Sequence, residues 1–320
     1  MQDQPQEQSA NSSHPTNTNP MLRGLRRSRG RWRLFAVLAI IGAVLALSAR
    51  LNAEFFTPEK DYIALVVVEG VIVTDPSRLL VLKDLGEEKR VKGVIIRINS
   101  PGGTTAGGEE LYEAISRLRE QKPVVAVINE VGASAAYMSA IAADRIFARR
   151  LSIVGSIGVL FQRVDASGLL ETIGINFEKV ASGPLKAEPD LDEPMSGEVR
   201  ASLQALVDDS FNWFVDIVAQ RRGLTRTATM ALSDGRIING RVAMNGGLID
   251  AIGGQAEAIE WLESRDVEKD LVVWQAYPRA ETFDERFMRL LGEQGSAVLG
   301  IKRVLPSEQA LDGLVSLWHL

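Results

Sequence analysis

Four apolar runs of the β type recur between Ile63 and Ala148, and helical patterns separate them. The runs are Ile63–Val73, Val91–Ile98, Val124–Ile128 and Asp144–Ala148. Two amphipathic segments, Leu79–Lys89 and Gly108–Gln121, separate the first three runs, and small residues suited to a tightly packed helix follow Ser134. Strands that alternate with helices in this way pair as a largely parallel sheet. The sequence therefore predicts an α/β fold in which neighbouring strand ends meet at one edge of the sheet, where ligands bind.

Small and polar residues stand at two of these strand ends. Pro101-Gly102-Gly103 follows the second run, and Gly132-Ala133-Ser134 follows the third. The glycine pair is either a turn that needs positive φ or a way to point backbone N–H groups at a substrate oxygen. Ser134 is either the N-cap of the helix that follows or the nucleophile of an acyl-transfer enzyme, placed beside the N–H groups of the first helical turn. The residues by themselves leave both alternatives open.

Histidine and cysteine are scarce in this chain of 320 residues, and this limits the chemistry. There are no cysteines and two histidines, His14 in a polar tail and His319 near the C-terminus. A disulfide framework, a thiolate zinc site and a cysteine nucleophile are therefore excluded, and a Ser-His-Asp triad or a histidine-ligated metal is not expected. Lysine is the usual substitute base, provided that burial keeps it neutral. We expect no metal and no cofactor, and the net charge of −5 gives no indication of nucleic-acid binding.

Two further residues are candidates, although each has an ordinary explanation. Ser156 lies between glycines in Val154–Val159, a pattern that also occurs at tight strand-edge turns. Lys186 lies in a loop punctuated by glycine and proline, after the predicted strand Asn176–Val180, and a loop lysine is normally solvated. The residues alone assign a role to neither.

The N-terminal region indicates insertion into a membrane. Residues 1–33 are polar and then arginine-rich, with six arginines from Arg23 to Arg33, and we predict a disordered cytoplasmic tail. Residues 34–52 are predicted to form a single transmembrane signal anchor, because the uncharged run Leu34–Ala49 can be extended to the length of a bilayer core. The arginines place its N-terminal side in the cytoplasm, and the rest of the chain on the periplasmic or extracellular side of the inner (cytoplasmic) membrane. A buried core helix and a cleaved signal peptide are the alternatives, although Ser48-Ala49-Arg50 is a poor cleavage site.

Five motifs occur in the same order as in the signal peptide peptidase family. They are INSPGG at 98–103, GASAAYMSAIAAD at 132–144, VGSIGV at 154–159, SGPLK at 182–186 and DGRIINGRVAMNGGLID at 234–250. Over roughly residues 60–255 the chain resembles the short bacterial form of this family, which has one protease unit behind an N-terminal anchor. The resemblance implies a Clp-protease/crotonase-like fold of stacked βαβ units and a serine protease with a Ser-Lys dyad.

The resemblance also implies a role for each candidate residue. Ser134 matches the nucleophile, Lys186 the general base and Ser156 the serine that hydrogen-bonds the lysine. The backbone N–H groups of Gly103 and Ala135 match the oxyanion hole. The family usually has Gly-Gly after the nucleophile, whereas this chain has Ala135-Ala136, which is expected to narrow the adjoining pocket and to affect substrate preference. The serine and lysine of one site are further expected to come from neighbouring protomers of a ring-like homo-oligomer.

We therefore predict a Ser-Lys peptidase domain at residues 58–262 and a C-terminal extension at 263–320, which contains a short strand, Val272–Tyr277, and an amphipathic segment, Thr282–Leu291. The predicted function is that of a membrane-anchored serine endopeptidase that hydrolyses signal-peptide remnants or similar hydrophobic peptides. A related branch that cuts membrane-domain partners is an alternative within this interpretation. Two different functions would also be compatible with the fold: an inactive protease-like membrane scaffold and a crotonase-like acyl-CoA enzyme. The acyl-CoA enzyme is disfavoured because an outward-facing domain meets no coenzyme A.

Overall fold

The computed structural model describes residues 32–33, 35–43, 58–278 and 315–317. Residues 35–43 are helical and exposed, and no helix within these described ranges combines the length and apolar character needed to cross a bilayer. The predicted anchor at 34–52 extends beyond the described residues, and the predicted tail at 1–33 and the segment Thr282–Leu291 lie almost entirely outside them, so all three stay predictions. The elements below belong to one compact unit.

The described residues of this unit form a nine-stranded, mainly parallel sheet. Its strands are β1 (Tyr62–Ile72), β2 (Val91–Thr104), β3 (Val124–Ala133), β4 (Arg145–Ala148), β5 (Ile153–Gly155), β6 (Ile237–Asn239), β7 (Ala251–Ile252), β8 (Val272–Tyr277) and β9 (Val315–Leu317). They pair in the order β6-β5-β3-β2-β1-β8, while β4 pairs with β3 and β7, and β9 pairs with β2. All pairs are parallel except β5–β6 and β2–β9, so the prediction of an α/β fold with a largely parallel sheet is confirmed.

Local capping signals set the bounds of the helices. The helices of this unit, within the described residues, are α1 (Pro76–Glu87), α2 (Thr105–Arg119), α3 (Ala135–Ala140), α4 (Ser167–Ile173), α5 (Gly197–Arg222), α6 (Arg226–Leu232), α7 (Gly240–Asn245) and α8 (Gln255–Glu263). α1 begins after Asp75, whose Oδ1 accepts hydrogen bonds from the N–H groups of Ser77 (2.9 Å) and Arg78 (3.1 Å). α5 ends at Gly223, whose left-handed conformation (φ 63°) is the glycine stop that Arg221-Arg222-Gly223 predicts.

Helices cover both faces of the sheet. Alternate residues of β1 enter two different buried clusters, because successive side chains of a strand point to opposite faces. One cluster includes side chains of α1, α2, α3 and α5, and the other includes side chains of α8. The two sets of β1 residues are Ala64, Val66 and Val68, and Ile63, Leu65 and Val67. A strand buried on both sides is a continuous apolar run in sequence, as β1 is.

Three features differ from the sequence prediction. β2 and β3 continue past their apolar runs to Thr104 and Ala133, so that the glycine-containing segments are themselves part of the sheet edge. The predicted strand Asn176–Val180 is wrong: the segment is irregular and Val180 is 98% exposed. An extended segment needs a neighbouring strand for its backbone hydrogen bonds, and none of the described strands pairs with this one. The sheet also continues through β8, beyond the predicted domain boundary at residue 262.

Candidate active site

Adjacent strand ends bring several candidate residues to one edge of the sheet. Ser100 of β2 pairs with Gly132 of β3 in parallel register. Two residues later, Ser134 donates its backbone N–H to the carbonyl oxygen of Gly155, at the end of β5 (2.9 Å). Ser156 follows directly. The ends of β3 and β5 are thus joined, and the end of β2 lies beside them.

Ser134 has a strained backbone. Its φ of 58° and ψ of −122° lie in a region that residues with a side chain rarely adopt, at a cost of about 1–3 kcal/mol. The residue is buried (1% exposed), and its side chain makes no capping hydrogen bond to α3. Ser134 therefore occupies the N-cap position of α3 without the side-chain hydrogen bond through which a serine normally caps a helix. Strain of this kind persists where the surroundings enforce it, and it is concentrated at functional sites.

Hydrogen bonds from neighbouring elements hold α3, and with it the backbone of Ser134, in place. The buried hydroxyl of Tyr137 donates to the carbonyl oxygen of Leu248 (2.8 Å). Burial raises the pKa of Tyr137, so the phenol stays a neutral donor. Arg221 of α5 donates to the carbonyl oxygen of Ile141, directly after α3 (2.7 Å). These contacts hold the short helix, and with it Ser134, against the rest of the domain.

The alanines after Ser134 are accommodated by a glycine in α2. Ala135 and Ala136 are fully buried. A Cβ added to Gly108 would lie 2.9 Å from Ala135 Cβ and 3.0 Å from Met138 Sδ, which is closer than such atoms approach. The missing side chain at Gly108 therefore makes the room that the methyl group of Ala135 fills. Gly108 could not be recognised from the sequence, because the contact joins positions that are distant along the chain.

The glycine turn at the end of β2 is held between β1 and Ser100. A Cβ at Gly103 would lie 1.8 Å from the carbonyl oxygen of Ile72, so β1 leaves no room for a side chain. Gly102 has a φ of 117°, which favours glycine. The buried hydroxyl of Ser100 accepts a hydrogen bond from the Gly102 N–H (3.1 Å) and fixes the turn from the other side. Ser100 was not among the predicted site residues, although a serine just before Pro-Gly-Gly is a turn signal.

Ser156 is supported by the motif at residues 234–250. It is buried (8% exposed) and, like Ser134, has a positive φ (50°). Its N–H donates to the carbonyl oxygen of Arg236 (2.8 Å), which precedes β6. Asp234 forms an ion pair with the Arg236 guanidinium, which helps to fix the position of the Arg236 backbone. Part of the fifth motif therefore has a structural role beside Ser156.

Lys186 lies on an exposed loop. Its backbone N–H donates to the carbonyl oxygen of Gly183 (3.2 Å). Lys179 closes the loop by pairing with Glu188 and with Asp190 (2.5 Å), and the hydrogen bond to Asp190, followed by that to Glu188, raises the pKa of Lys179. Among the described residues these two carboxylates and that of Glu193 have the spacing of a cation site, but the Lys179 ammonium already forms ion pairs with all three.

Residues 160–191, which carry Lys186, expose many large apolar side chains. They are Leu160, Val164, Leu169, Ile173, Ile175, Phe177, Val180, Leu185 and Leu191. Exposed apolar side chains in such number are typical of an interaction surface. The chain therefore places Ser134, Ser156 and the glycine turn at one buried edge of the sheet, and leaves Lys186 exposed among apolar side chains.

A buried, strained serine beside a glycine turn is the arrangement of a serine hydrolase, and comparison with known proteins defines the class further. The family model described as Peptidase family S49 matches residues 116–269. A candidate protease of Synechocystis sp., slr0021, is 36% identical over 209 residues, which are 65% of this chain and 75% of that protein. The chloroplastic serine protease SPPA of Arabidopsis thaliana is 31% identical over 276 residues, 84% of this chain and 38% of that protein. The chain belongs to peptidase family S49; it is a serine protease, and its resemblance to the signal peptide peptidases is confirmed.

A solved structure of a ClpP1 mutant from Listeria monocytogenes aligns with 59% of this chain and 91% of its own, at 16% identity and a TM-score of 0.39. At this score the Clp-protease/crotonase-like part of the fold prediction stays a prediction. Membership in a peptidase family argues against the crotonase-like acyl-CoA enzyme considered from the sequence.

Proposed function

We propose that the protein is a membrane-anchored serine endopeptidase that hydrolyses signal-peptide remnants or similar hydrophobic peptides, with Ser134 as nucleophile and Lys186 as general base. The observation that carries the proposal is the backbone of Ser134, a buried and strained serine beside the glycine turn of β2, whose side chain makes no capping hydrogen bond to α3. The anchor at residues 34–52 holds the enzyme in the inner membrane, with the catalytic domain on the periplasmic or extracellular side.

The reaction proceeds through an acyl-enzyme. Ser134 Oγ attacks the carbonyl carbon of the scissile bond while the neutral Nζ of Lys186, oriented by the hydroxyl of Ser156, accepts the hydroxyl proton. The backbone N–H groups of Gly103 and Ala135 donate to the oxyanion, and one such donor contributes about 2.7–4 kcal/mol in comparable enzymes. The C–N bond breaks as Lys186 returns the proton to the leaving amine. Water then attacks the acyl-enzyme and releases the second product.

A second protomer completes the site. A lysine that acts as a base at neutral pH must be desolvated, and Lys186 is exposed in one protomer. Docking the apolar side chains of residues 160–191 against a neighbouring copy would bury that surface and carry Lys186 towards the neighbour's Ser134. The exposed apolar side chains support this arrangement, and its repetition gives a ring-like homo-oligomer.

A fluorophosphonate probe tests the nucleophile, because the probe reacts with an activated serine. We expect labelling of the wild-type protein and of Ser139→Ala, and none of Ser134→Ala. Ser139 is the matched control: it is equally buried, lies in α3, and its hydroxyl donates to the Ala135 carbonyl (2.9 Å). Labelling of Ser134→Ala at the wild-type rate would refute the assignment, and a wild-type protein that is not labelled at any pH would favour the inactive scaffold.

Mixed oligomers test the sharing of the site. Ser134→Ala and Lys186→Ala should each be inactive towards a hydrophobic peptide, whereas Lys83→Ala, an exposed lysine on α1, should be fully active. Co-expressing the two inactive variants should restore part of the activity, since some sites then combine an intact serine with an intact lysine. Activity that stays absent in oligomers shown to contain both variants contradicts the shared site.

A further inference from the structure

The loop that carries Lys186 is not held by apolar packing within one chain. It comprises residues 175–195, between Gly174 at the end of α4 and Ser196, the N-cap of α5. The structure describes this stretch throughout, and it contains no helix or strand and no buried residue. Segments with few buried apolar contacts open easily, so polar contacts must define the conformation of this loop.

One ammonium group connects the two sides of the loop. Lys179, which precedes Lys186, forms ion pairs with Glu188 and with Asp190 (2.5 Å), which follow it. The same ammonium lies 3.8 Å from a carboxylate oxygen of Glu193. The side chain of Glu188 is only 9% exposed, so water and salt screen its pair with Lys179 less than they screen a pair on the open surface. An isolated surface ion pair contributes little, whereas several charges in a network can fix a geometry. The three pairs therefore close the chain around Lys186.

The far side of the loop is also attached to the segment that precedes α4. Arg163 donates from Nη2 to the backbone carbonyl oxygen of Glu193 (2.8 Å), and the N–H of Ala166 donates to the carbonyl oxygen of Leu191 (2.8 Å). Arg163 also forms an ion pair with Asp165 (3.3 Å). Because α4 carries part of the exposed apolar surface at residues 160–191, these bonds connect the loop to the surface that is proposed to dock on a neighbouring protomer.

We propose that Lys179 is a positioning residue for the general base: its ion pairs fix the loop that carries Lys186 and engage the carboxylates with which Lys186 would otherwise pair. This inference rests on the proposed function, which assigns the role of base to Lys186. Within the part of the chain that the structure describes, the three carboxylates form ion pairs with Lys179 and none with Lys186.

The spacing of these carboxylates shows why a second lysine is needed. They follow Lys186 by two, four and seven residues along the chain, at Glu188, Asp190 and Glu193. An ammonium group that pairs with a carboxylate is favoured in its charged form, and a charged lysine cannot accept the serine proton. Lys179 supplies the cation for this cluster, which leaves Lys186 to act in the neighbouring site. Without Lys179 the loop loses its closure, and Lys186 gains three competing partners.

Steady-state kinetics of the isolated oligomer in detergent test the positioning role. Lys179→Met should lower kcat for a fluorogenic hydrophobic peptide by roughly 10-fold, because a displaced base slows the chemical step. KM should stay within about 2-fold of the wild-type value, because the lost interaction does not bind the substrate. Lys179→Arg keeps a cation for the carboxylates and should retain at least about half of the wild-type kcat. Lys83→Met, at an exposed lysine on α1, is the matched control and should be fully active.

Two kinetic results would overturn the proposal. One is a wild-type kcat in Lys179→Met, and the other is a Lys179→Arg protein that is as slow as Lys179→Met. Size-exclusion chromatography of each variant accompanies the kinetics. Activity that falls only in proportion to the loss of oligomer would show that Lys179 acts through assembly, and it would overturn the positioning role as well.

Hydrogen exchange tests the closure of the loop without catalysis. In a Ser134→Ala background, Lys179→Met should speed the amide exchange of residues 183–193 by roughly 10-fold and leave that of β2 unchanged, whereas Lys83→Met should alter neither. Unchanged exchange at residues 183–193 in Lys179→Met overturns the closure. Faster exchange there, together with a wild-type enzyme that fluorophosphonate never labels, supports the closure and refutes only the proposed function.

Discussion

Backbone strain at Ser134 predicts that glycine is tolerated there better than at an ordinary buried position. Replacing alanine with glycine at a buried site normally lowers the stability of the protein for two reasons. Glycine raises the conformational entropy of the unfolded chain, which costs about 0.4–1 kcal/mol of folding free energy, and the buried methyl group that is lost contributes about 0.8 kcal/mol. At Ser134 it also relieves strain of about 1–3 kcal/mol, because glycine has no Cβ to clash at φ 58°. The Ser134→Gly protein should therefore be as stable as Ser134→Ala, or more stable.

Ser139 provides the matched comparison. It is buried in the middle of α3, where the backbone is helical and glycine is disfavoured by about 1 kcal/mol relative to alanine. With the lost methyl group, Ser139→Gly should be less stable than Ser139→Ala by roughly 1.8 kcal/mol. The alanine-to-glycine effects at the two positions should thus differ by about 2 kcal/mol, or roughly 4–8 °C in Tm for a domain of this size.

The assay is urea and thermal unfolding of the four proteins, all in a Lys186→Ala background so that no protein can digest another during the measurement. At each position the unfolding free energy of the glycine variant is compared with that of the alanine variant. Both variants lack the serine hydroxyl group, so its loss does not contribute to the difference. Equal losses at Ser134 and Ser139 would refute the reasoning, because they would show that the backbone of Ser134 is relaxed.

Two further perturbations test the support of the site and of the first helix. Gly103→Ala should abolish fluorophosphonate labelling and lower the unfolding free energy by about 1–3 kcal/mol, because the new Cβ overlaps the Ile72 carbonyl; labelling at the wild-type rate would contradict this. Burial opposes the ionisation of Asp75, but hydrogen bonds, of which that from Ser77 is the largest, lower its pKa to about 2. Because the folded-state pKa is lowered, this stabilisation is complete above about pH 4 and is lost as the pH falls towards 2. The unfolding free energies of the wild type and of Asp75→Asn, which retains a capping oxygen, should converge over that range, and a constant gap would argue against the lowered pKa.

The features that follow from local pattern were predictable from the sequence. Apolar runs and turn residues determine where β1, β2 and β3 lie, and a parallel arrangement then brings Gly103 and Ser134 to one edge. The strain at Ser134 was not predictable, because it arises from what the neighbouring strand and helix impose on one residue. The strand expected at Asn176–Val180 failed for a related reason: β-type residues do not form a strand without a partner within reach.

Long-range pairing was equally beyond the sequence pattern. A three-residue strand such as β9 carries almost no periodicity, and its place is set by an edge that another part of the chain leaves open. The position of Lys186 relative to the nucleophile also depends on how the exposed surface at residues 160–191 is covered, which is a property of the assembly and not of local sequence.

Because Gly108 and Ala135 are in contact, the space beside the nucleophile has room for the side chain of only one of these two residues. Adding a methyl group at Gly108 while alanine stays at 135 forces an overlap, with a typical cost of about 1–3 kcal/mol. Removing the methyl group at Ala135 alone leaves a void, at about 1 kcal/mol. One arrangement has glycine at position 108 and alanine at 135, and the other has alanine at 108 and glycine at 135. An evolutionary change from one to the other is therefore epistatic, and it passes most easily through the form with glycine at both positions. The size of this pocket in related peptidases is then best compared through the sum of the two side chains, rather than through the residue after the serine alone.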